Sequence, residues 1–404
     1  MTSVLGGVSV VELGVWVAGP AVGGTMADWG ADVVKVEPPA GDPFRGLFAS
    51  LGYDASIPNA PFALDNRGKR SVVLDLRQPE ARAALDKLLA HADVFVTNLR
   101  PDALERLGLA PDGVTARHPR LVYASVSGYG LGGPDRDRAG YDVGAFWART
   151  GIASQLVPPG TPPPGIRGGL GDHTTALAAL AGILAALHRR QVTGRGGVVE
   201  TSLLGTGLYC LGWDLGIQLV LGRVAPASPR ESSPTPLVNS YRAADDHWFF
   251  LIGLEADRHF PGVTRAVGRP DLLDDERFAT ATERLRHRKE LIAIFDEIFS
   301  GAPMSDWVDR FDREDVWWAP VQRPAEVVED PQVLADGRLI DVDADGRPPF
   351  PAVASPVRFH GDEQRRAGQV PQLGQHTTEV LRSLGYDDAT IARLQGGQAA
   401  GVTA

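Results

Sequence analysis

Residues 166–190 read Ile-Arg-Gly-Gly-Leu-Gly-Asp-His-Thr-Thr-Ala-Leu and then a long Ala/Leu run, which places one carboxylate, Asp172, just before or at the start of an apolar helix. Two chemistries suit an aspartate there. As an N-cap, its side-chain oxygen accepts a backbone N–H of the first turn. As a reacting carboxylate, it needs a backbone that comes close to a ligand, and Gly168, Gly169 and Gly171 remove the side chains that would block the approach. Both readings stay open on this window alone. A second group of residues recurs where strands are expected to end: Trp16, Asn98 and Tyr129, with Arg45, Arg77, Arg100, Arg106 and Tyr141 on nearby loops. Each arginine alone is a surface residue. Together, around one crevice, guanidinium groups suit phosphates and apolar side chains suit a base, so the ligand class indicated is a nucleotide-bearing anion.

The elements that must hold these residues follow from periodicity. Val8 to Leu13 predicts a buried strand, Ala21 to Trp29 a helix of small residues, and Asp32 to Glu37 a second strand stopped by Pro38-Pro39. Residues from Gly41 to about Asn66 form a long polar and aromatic loop. Strands at Ser71 to Leu76, Asp93 to Asn98 and Leu121 to Val126 alternate with helices at Glu80 to Ala90 and Pro101 to Leu107. Four or five parallel strands therefore make one doubly wound α/β sheet, whose ligand crevice lies beyond the strand ends. Tyr141 to Gly151 is a short helix close to the Asp172 hinge, in a glycine- and proline-rich lid region. Val198 to Thr201 is a further strand, and Leu203 to about Leu221 one apolar helix. Residues 1–222 make a large domain, 223–236 a Pro/Ser-rich linker, and 237–330 a smaller domain dominated by charged helices. The proline-rich stretch from Pro320 to Pro371 reads as irregular, with a last helix at Thr377 to Leu384.

Composition narrows the function classes. A chain of 404 residues with 43% hydrophobic residues can fill two cores. A formal net charge of −10 argues against non-specific nucleic-acid binding, so an anionic ligand must be met locally. Cys210 is the single cysteine, which excludes an intrachain disulfide and a cysteine-rich metal site and fits a reducing, cytoplasmic setting. No uninterrupted apolar run reaches membrane-span length, so no membrane role is expected. The stretch Gly14 to Gly19 lacks the G-x-G-x-x-G dinucleotide fingerprint.

Several blocks in order, Val15 to Pro20, Gly30 to Pro38, Asn66 to Leu76, Asn98 to Gly108, Gly171-Asp172 with its Ala/Leu helix, Thr193 to Gly196 and Gly374 to Thr377, resemble the class III acyl-CoA transferases of the formyl-CoA and carnitine-CoA transferase type. The resemblance covers nearly the whole chain. It implies a Rossmann-like large domain, a smaller α+β domain, a segment 331–404 that returns to the large domain, and an interlocked homodimer. It implies Asp172 as a nucleophile that forms mixed anhydrides and an aspartyl-CoA thioester while CoA passes from an acyl-CoA donor to a carboxylic acid acceptor. By the same resemblance CoA contacts fall on Trp16, Leu74, Arg77, Asn98, Leu99, Arg106 and Leu107, with Tyr141 beside the thioester. Neither a metal nor a permanently bound cofactor is implied, since acyl-CoA enters as substrate. The superfamily also contains 2-methylacyl-CoA racemases, which pair the aspartate with a histidine; that position is Tyr141 here, a weak base at neutral pH, while His173 and Glu255 leave the alternative open. A non-catalytic CoA-binding protein on the same fold is a third reading, against which the intact Gly171-Asp172 stands.

Overall fold

Short runs of β-branched residues, each bounded by Gly, Pro or Asp, become six strands in a computed structural model that describes residues 3–396 apart from 55, 345–346 and 361–367. The strands are β1 (Ser9–Leu13), β2 (Asp32–Glu37), β3 (Arg70–Val73), β4 (Val94–Thr97), β5 (Val122–Ser127) and β6 (Gly197–Ser202). They pair in parallel throughout, in the order β3-β2-β1-β4-β5-β6. The four or five strands expected thus become six, because β6 pairs with β5 from Val122↔Gly197 to Ser127↔Ser202.

Each face of this sheet carries its own core. Val10, Val33, Val94, Val122 and Ala124 pack against helices α1 (Ala18–Asp28) and, after α2 (Ala60–Asn66), α3 (Pro79–His91), α4 (Pro101–Arg106) and α5 (Pro111–Arg117), against the long α6 (Leu170–Thr193). Val11, Val34, Val72, Phe95 and Tyr123 point the other way, onto α3, α4, α5 and the C-terminal helices Thr377–Ser383 and Asp388–Gly396. Alternate residues of one strand serve opposite faces, as a pleated strand requires. α6 buries Gly171, Thr175, Ala176, Ala179, Leu180, Ile183, Ala186 and Leu187, a helical stripe rich in small side chains. Gly194 at φ 72° ends it, with its N–H bonded to the Arg190 carbonyl. In length and apolarity α6 would suffice to cross a bilayer, which the uninterrupted-run criterion did not register, but here that stripe packs onto the sheet.

β2 lies on one side of β1 and β4 on the other, so the winding reverses between β1 and β4, and a crevice opens beyond their C-terminal ends. Asn98 spans it. Its Nδ2 donates to the Val15 carbonyl at 2.7 Å and its Oδ1 accepts the Val15 N–H at 3.0 Å. The approach is close enough that a Cβ on Gly14 or Gly19 would come within 3.0 Å of the Asn98 side chain.

Below the crevice lies a buried ionic network. Glu12, fully buried, binds Lys35 Nζ at 2.9 Å and Lys69 Nζ at 2.6 Å. Lys35 also reaches Asp42 at 2.9 Å and the Gly14 carbonyl at 3.0 Å. Lys69 also donates to the Pro20 carbonyl and to Asn66 Oδ1. α1 passes close above, where a Cβ on Gly23 would meet Glu12 Oε2 at 2.0 Å and one on Gly24 the Asp65 carbonyl at 2.6 Å. Burial alone would push Glu12 up, but the two ammonium groups hold it below the usual carboxylate range, whereas burial pushes Lys69 down to about 8.

The first compact unit contains 1–153, 165–224 and 336–404; the second contains 154–164 and 225–335. In the second, Ser240–Arg242, Trp248–Leu251 and Trp318–Pro320 form a three-stranded antiparallel sheet on an aromatic core of Tyr241, Phe249, Phe295, Phe299, Trp307 and Phe311. Four sequence expectations need correction. The loop from Gly41 to Asn66 contains a 3₁₀ turn (Pro43–Gly46), a helical turn (Leu47–Ser50) and α2, because Asp42 and Asn59 cap local N–H groups. The single apolar helix from Leu203 to Leu221 is two, α7 (Leu203–Cys210) and α8 (Gly212–Leu221), bent by 74°. The irregular stretch after Pro320 includes an antiparallel hairpin of Leu339–Ala344 and Arg347–Val353, and the expected last helix is followed by another at Asp388–Gly396. The proposed segment 331–404 reaches into 361–367 and 397–404, which lie outside the described residues.

Glu12→Gln keeps the side chain's size but strips the charge that two buried ammonium groups share. Its unfolding free energy in urea at pH 7 should fall by about 3 kcal/mol or more; a loss under about 1 kcal/mol would show that the lysines are compensated elsewhere.

Candidate active site

The loops at the crevice bring Trp16, Tyr141 and the start of α6 together. Trp16 has φ 63°, a left-handed conformation costly for a bulky residue by about 1–3 kcal/mol. Asp42 holds it there: Oδ1 accepts the Trp16 N–H at 3.0 Å and the Phe44 N–H at 2.9 Å, while Oδ2 is ion-paired with Lys35. The Trp16 ring lies 6.0 Å from Phe44 and 6.1 Å, edge-on, from Tyr141. Tyr141 is 59% exposed, so its ring is available to a ligand.

Tyr141 caps a π-helix of seven residues, Asp142–Ala148, where a short helix ended by glycine was expected. Asp142, at its start, is buried and accepts the Gly169 N–H at 3.0 Å, which ties it to the mouth of α6. Gly169 has φ 86°, and Val17 lies 3.8 Å from where its Cβ would stand. At Gly171 a Cβ would meet the Phe146 ring at 2.7 Å. Glycine is thus demanded at 169 by conformation and at 171 by contact.

Asp172 lies inside the first turn of α6, and the capping position belongs to Gly169, with no side-chain cap. The capping reading is thereby corrected: a residue two beyond N1 cannot supply the N-cap oxygen. Burial pushes the Asp172 carboxyl up to about 7; the neighbouring Asp142 and Asp65 carboxylates push the same way, and His173 opposes them. His173, half-buried, reaches across to α2, its Nε2 2.9 Å from Asp65 Oδ1.

The other sequence-designated residues are spread along the C-terminal edge of the sheet. Asn98 is occupied in tying Val15. Leu74 is buried, its side chain in the core, and Leu99 and Leu107 are partly buried against that core. Arg77 is held by Asp75 and Arg106 by Asp102, both with largely exposed guanidinium groups. Arg45 is turned inward in a two-pronged pair with Glu37, and Arg100 donates to the Asp137 carbonyl. Glu255, the possible racemase carboxylate, is in the second unit, exposed and paired with Arg258. Among the described residues no group of three or more His, Cys, Asp or Glu side chains is placed to hold a metal ion.

Residues not singled out from the sequence are Asp42, Asp65, Asp142, Lys35 and Lys69. A signal existed for Glu12 and Lys35, since a charge inside a short apolar strand must find a buried partner. Asp65 and Asp142 carried none, the one standing in an expected polar loop and the other in the first turn of an expected short helix, where an acidic residue is ordinary.

This geometry joins a family with known members. The model for CoA-transferase family III matches residues 5–377. The chain belongs to CoA-transferase family III. It is 34% identical over 388 residues to the (R)-2-hydroxy-4-methylpentanoate CoA-transferase of Clostridioides difficile, covering 96% of this chain and 97% of that protein. It is also 34% identical over 401 residues to the cinnamoyl-CoA:phenyllactate CoA-transferase of Clostridium sporogenes, covering 98% and 96%. A solved CAIB/BAIF family protein from Brucella suis superimposes with TM-score 0.81 at 30% identity, covering 95% of this chain and all of that one. The chain is an enzyme of the CoA-transferase class.

The raised Asp172 pKa has a stability consequence that does not depend on its chemistry. A carboxyl with a folded pKa near 7 and an unfolded one near 3.9 binds its proton more tightly when folded, so its favourable contribution is full below about pH 4 and lost as pH rises through 7. Asp172→Asn should therefore be more stable than wild type by roughly 1–3 kcal/mol at pH 8, and by almost nothing at pH 4, in urea titrations at the two pH values.

Proposed function

We propose that the enzyme moves CoA from an acyl-CoA donor to a carboxylic acid acceptor through covalent attachment to Asp172. The observation that carries this reading is a carboxylate inside the first turn of α6, free of capping, desolvated and flanked by Gly169 and Gly171. A carboxylate kept from water is the more nucleophilic, and backbone without side chains lets N–H groups approach a developing oxyanion.

In the proposed sequence, an Asp172 oxygen attacks the thioester carbonyl and the C–S bond breaks, giving a mixed anhydride and CoA thiolate. The thiolate attacks the Asp172 carbonyl and expels the donor acid as its carboxylate, leaving an aspartyl-CoA thioester. The acceptor carboxylate then attacks that carbonyl and expels the thiolate. In the last step the thiolate attacks the acceptor's carbonyl, releasing acyl-CoA and the free Asp172 carboxylate. Every step exchanges one acyl leaving group for another, so no redox cofactor or metal is called for, and CoA enters and leaves as substrate.

Trp16, Asn98, Leu99, Leu107 and Tyr141 are proposed to line the CoA path with the backbone around Leu74, and Arg77 and Arg106 to meet its phosphates. The Arg106–Asp102 pair is exposed on both sides and contributes little, so a phosphate can replace that aspartate at small cost. Both relatives named above carry a 2-hydroxy acid in their names, which makes such an acid the first acceptor class to assay. A cytoplasmic, interlocked homodimer belongs to the same proposal, with 1–222, 237–330 and 331–404 as large domain, small domain and returning segment. Supporting a partner chain, Tyr209, Trp213, Leu219 and Val220 on α7 and α8 are each more than 80% exposed, an apolar surface large for a monomer.

Asp172→Asn should lower transfer by about a thousandfold or more while CoA binding persists, and hydroxylamine should convert the wild-type intermediate to a hydroxamate at Asp172 alone. Near-normal turnover in the variant would end this reading. Sedimentation should give a dimer that survives dilution, and a freely exchanging monomer would remove the interlocked arrangement.

A further inference from the structure

His173 follows Asp172 on α6, and side chains one residue apart on a helix diverge by about 100°. The half-buried imidazole is accordingly turned toward α2, with Nε2 2.9 Å from Asp65 Oδ1. It lies across Gly169, where a Cβ would stand 3.1 Å from Cε1 and 3.2 Å from Nδ1, and the Gly169 carbonyl favours the charged ring. The Asp65 carboxylate at Nε2 favours the charged ring over the neutral one. Asp65 itself is 3% exposed at the side chain, and its Oδ2 is buried with no hydrogen-bond partner. Burial pushes the Asp65 carboxyl above its ordinary range, and His173 is foremost among the groups that oppose this and favour the carboxylate. The network below holds it there: Lys69, bonded to Glu12, also takes Asn66 Oδ1, fixing the end of α2 that carries Asp65.

We propose that Asp65 is a positioning residue for transfer: it holds the His173 ring as a cation next to Asp172, where its charge favours the attacking carboxylate over the carboxylic acid. The proposal rests on Asp172 as nucleophile. It explains why the site tolerates three carboxyl groups, Asp65, Asp142 and Asp172, around one helix start. The charged groups on the surrounding elements are accounted for. Asp142 faces Asp172 from the π-helix; Lys69 and Glu12 act on Asp65; Asp28 on α1 is held by Arg67, and Glu200 on β6 accepts the Leu131 N–H.

The sign of the effect follows from the order of influences on Asp172. His173, which lowers its pKa, outweighs Asp65, which raises it. Asp65→Asn removes the weaker influence and, by freeing His173 to lose its proton, the stronger one as well. The acid limb of kcat/KM against pH should move up by about half a pH unit or more, and His173→Gln, which keeps a donor for Asp65 without the charge, should do the same. Asp65→Glu should return the limb toward the wild-type position. A purely structural Asp65 would instead depress activity by one factor at every pH, with the limb unmoved; that result overturns the proposal. Histidine ¹⁵N NMR of the full-length enzyme decides it without turnover, with His173 assigned from the resonance missing in His173→Gln. Protonation persisting past pH 7 in the wild type, and lost at lower pH in Asp65→Asn, is expected. A wild-type His173 that titrates at or below ~6.5 refutes it, even if Asp65→Asn fails to fold. Failure of the Asp172 hydroxamate test would count against the nucleophile alone, because the NMR titration reads the His173 charge directly.

Discussion

Glu12 bridging Lys35 and Lys69 is the interaction on which the geometry of the first unit turns. One buried carboxylate compensates two buried ammonium groups, and each ammonium binds a different part of the crevice: Lys35 the Gly14 carbonyl and Asp42, Lys69 the Pro20 carbonyl and Asn66. A hydrophobic trio of the same volume could give equal stability. It could not supply directed bonds to Gly14, Asp42, α1 and the end of α2 at once. The strained Trp16 backbone shows what those bonds do, since its N–H is held by the same Asp42 that Lys35 secures.

Glycine plays the complementary part. Where the network needs charge, the helices need absence of bulk: Gly23 clears Glu12, Gly24 clears the Asp65 backbone, Gly171 clears Phe146 and Gly182 clears Val199. α1 and α6 can therefore sit close on the same sheet face, and their close packing brings the Asp65 and Asp172 segments into one neighbourhood. The electrostatic state of the site is a consequence of that packing. Carboxyls from α2, the π-helix and α6 are crowded into partly desolvated space, and their mutual repulsion acts with burial to hold the Asp172 proton.

The periphery follows different physics. The arginines at the sheet edge have exposed guanidinium groups, each paired with one aspartate, an arrangement that leaves them open to a ligand that arrives and departs. The nucleophile candidate is held rigidly, by backbone and packing. A CoA-transferase gains from both, because acyl-CoA must enter and leave in each cycle while the groups that react keep their geometry.

The sequence by itself determined the α/β class, the parallel strands, the glycine-flanked Asp172 ahead of a buried helix, and the family. These are local or linear properties: strand and helix periods, turn residues and blocks in order. It did not determine that Asp172 is inside the first turn and not its cap, because a cap depends on one residue's φ and on which oxygen reaches which N–H. It left the chain from Leu203 to Leu221 as one helix, since a bend between two apolar helices has no composition of its own. Above all it could not pair Asp65 with His173, 108 positions apart, or Glu12 with Lys69, 57 apart. A charge in a strand says only that a partner must exist. Which partner, and therefore which proton stays near Asp172, is decided by the order of strands in the sheet and by the close approach of α1, α2 and α6 that small side chains permit.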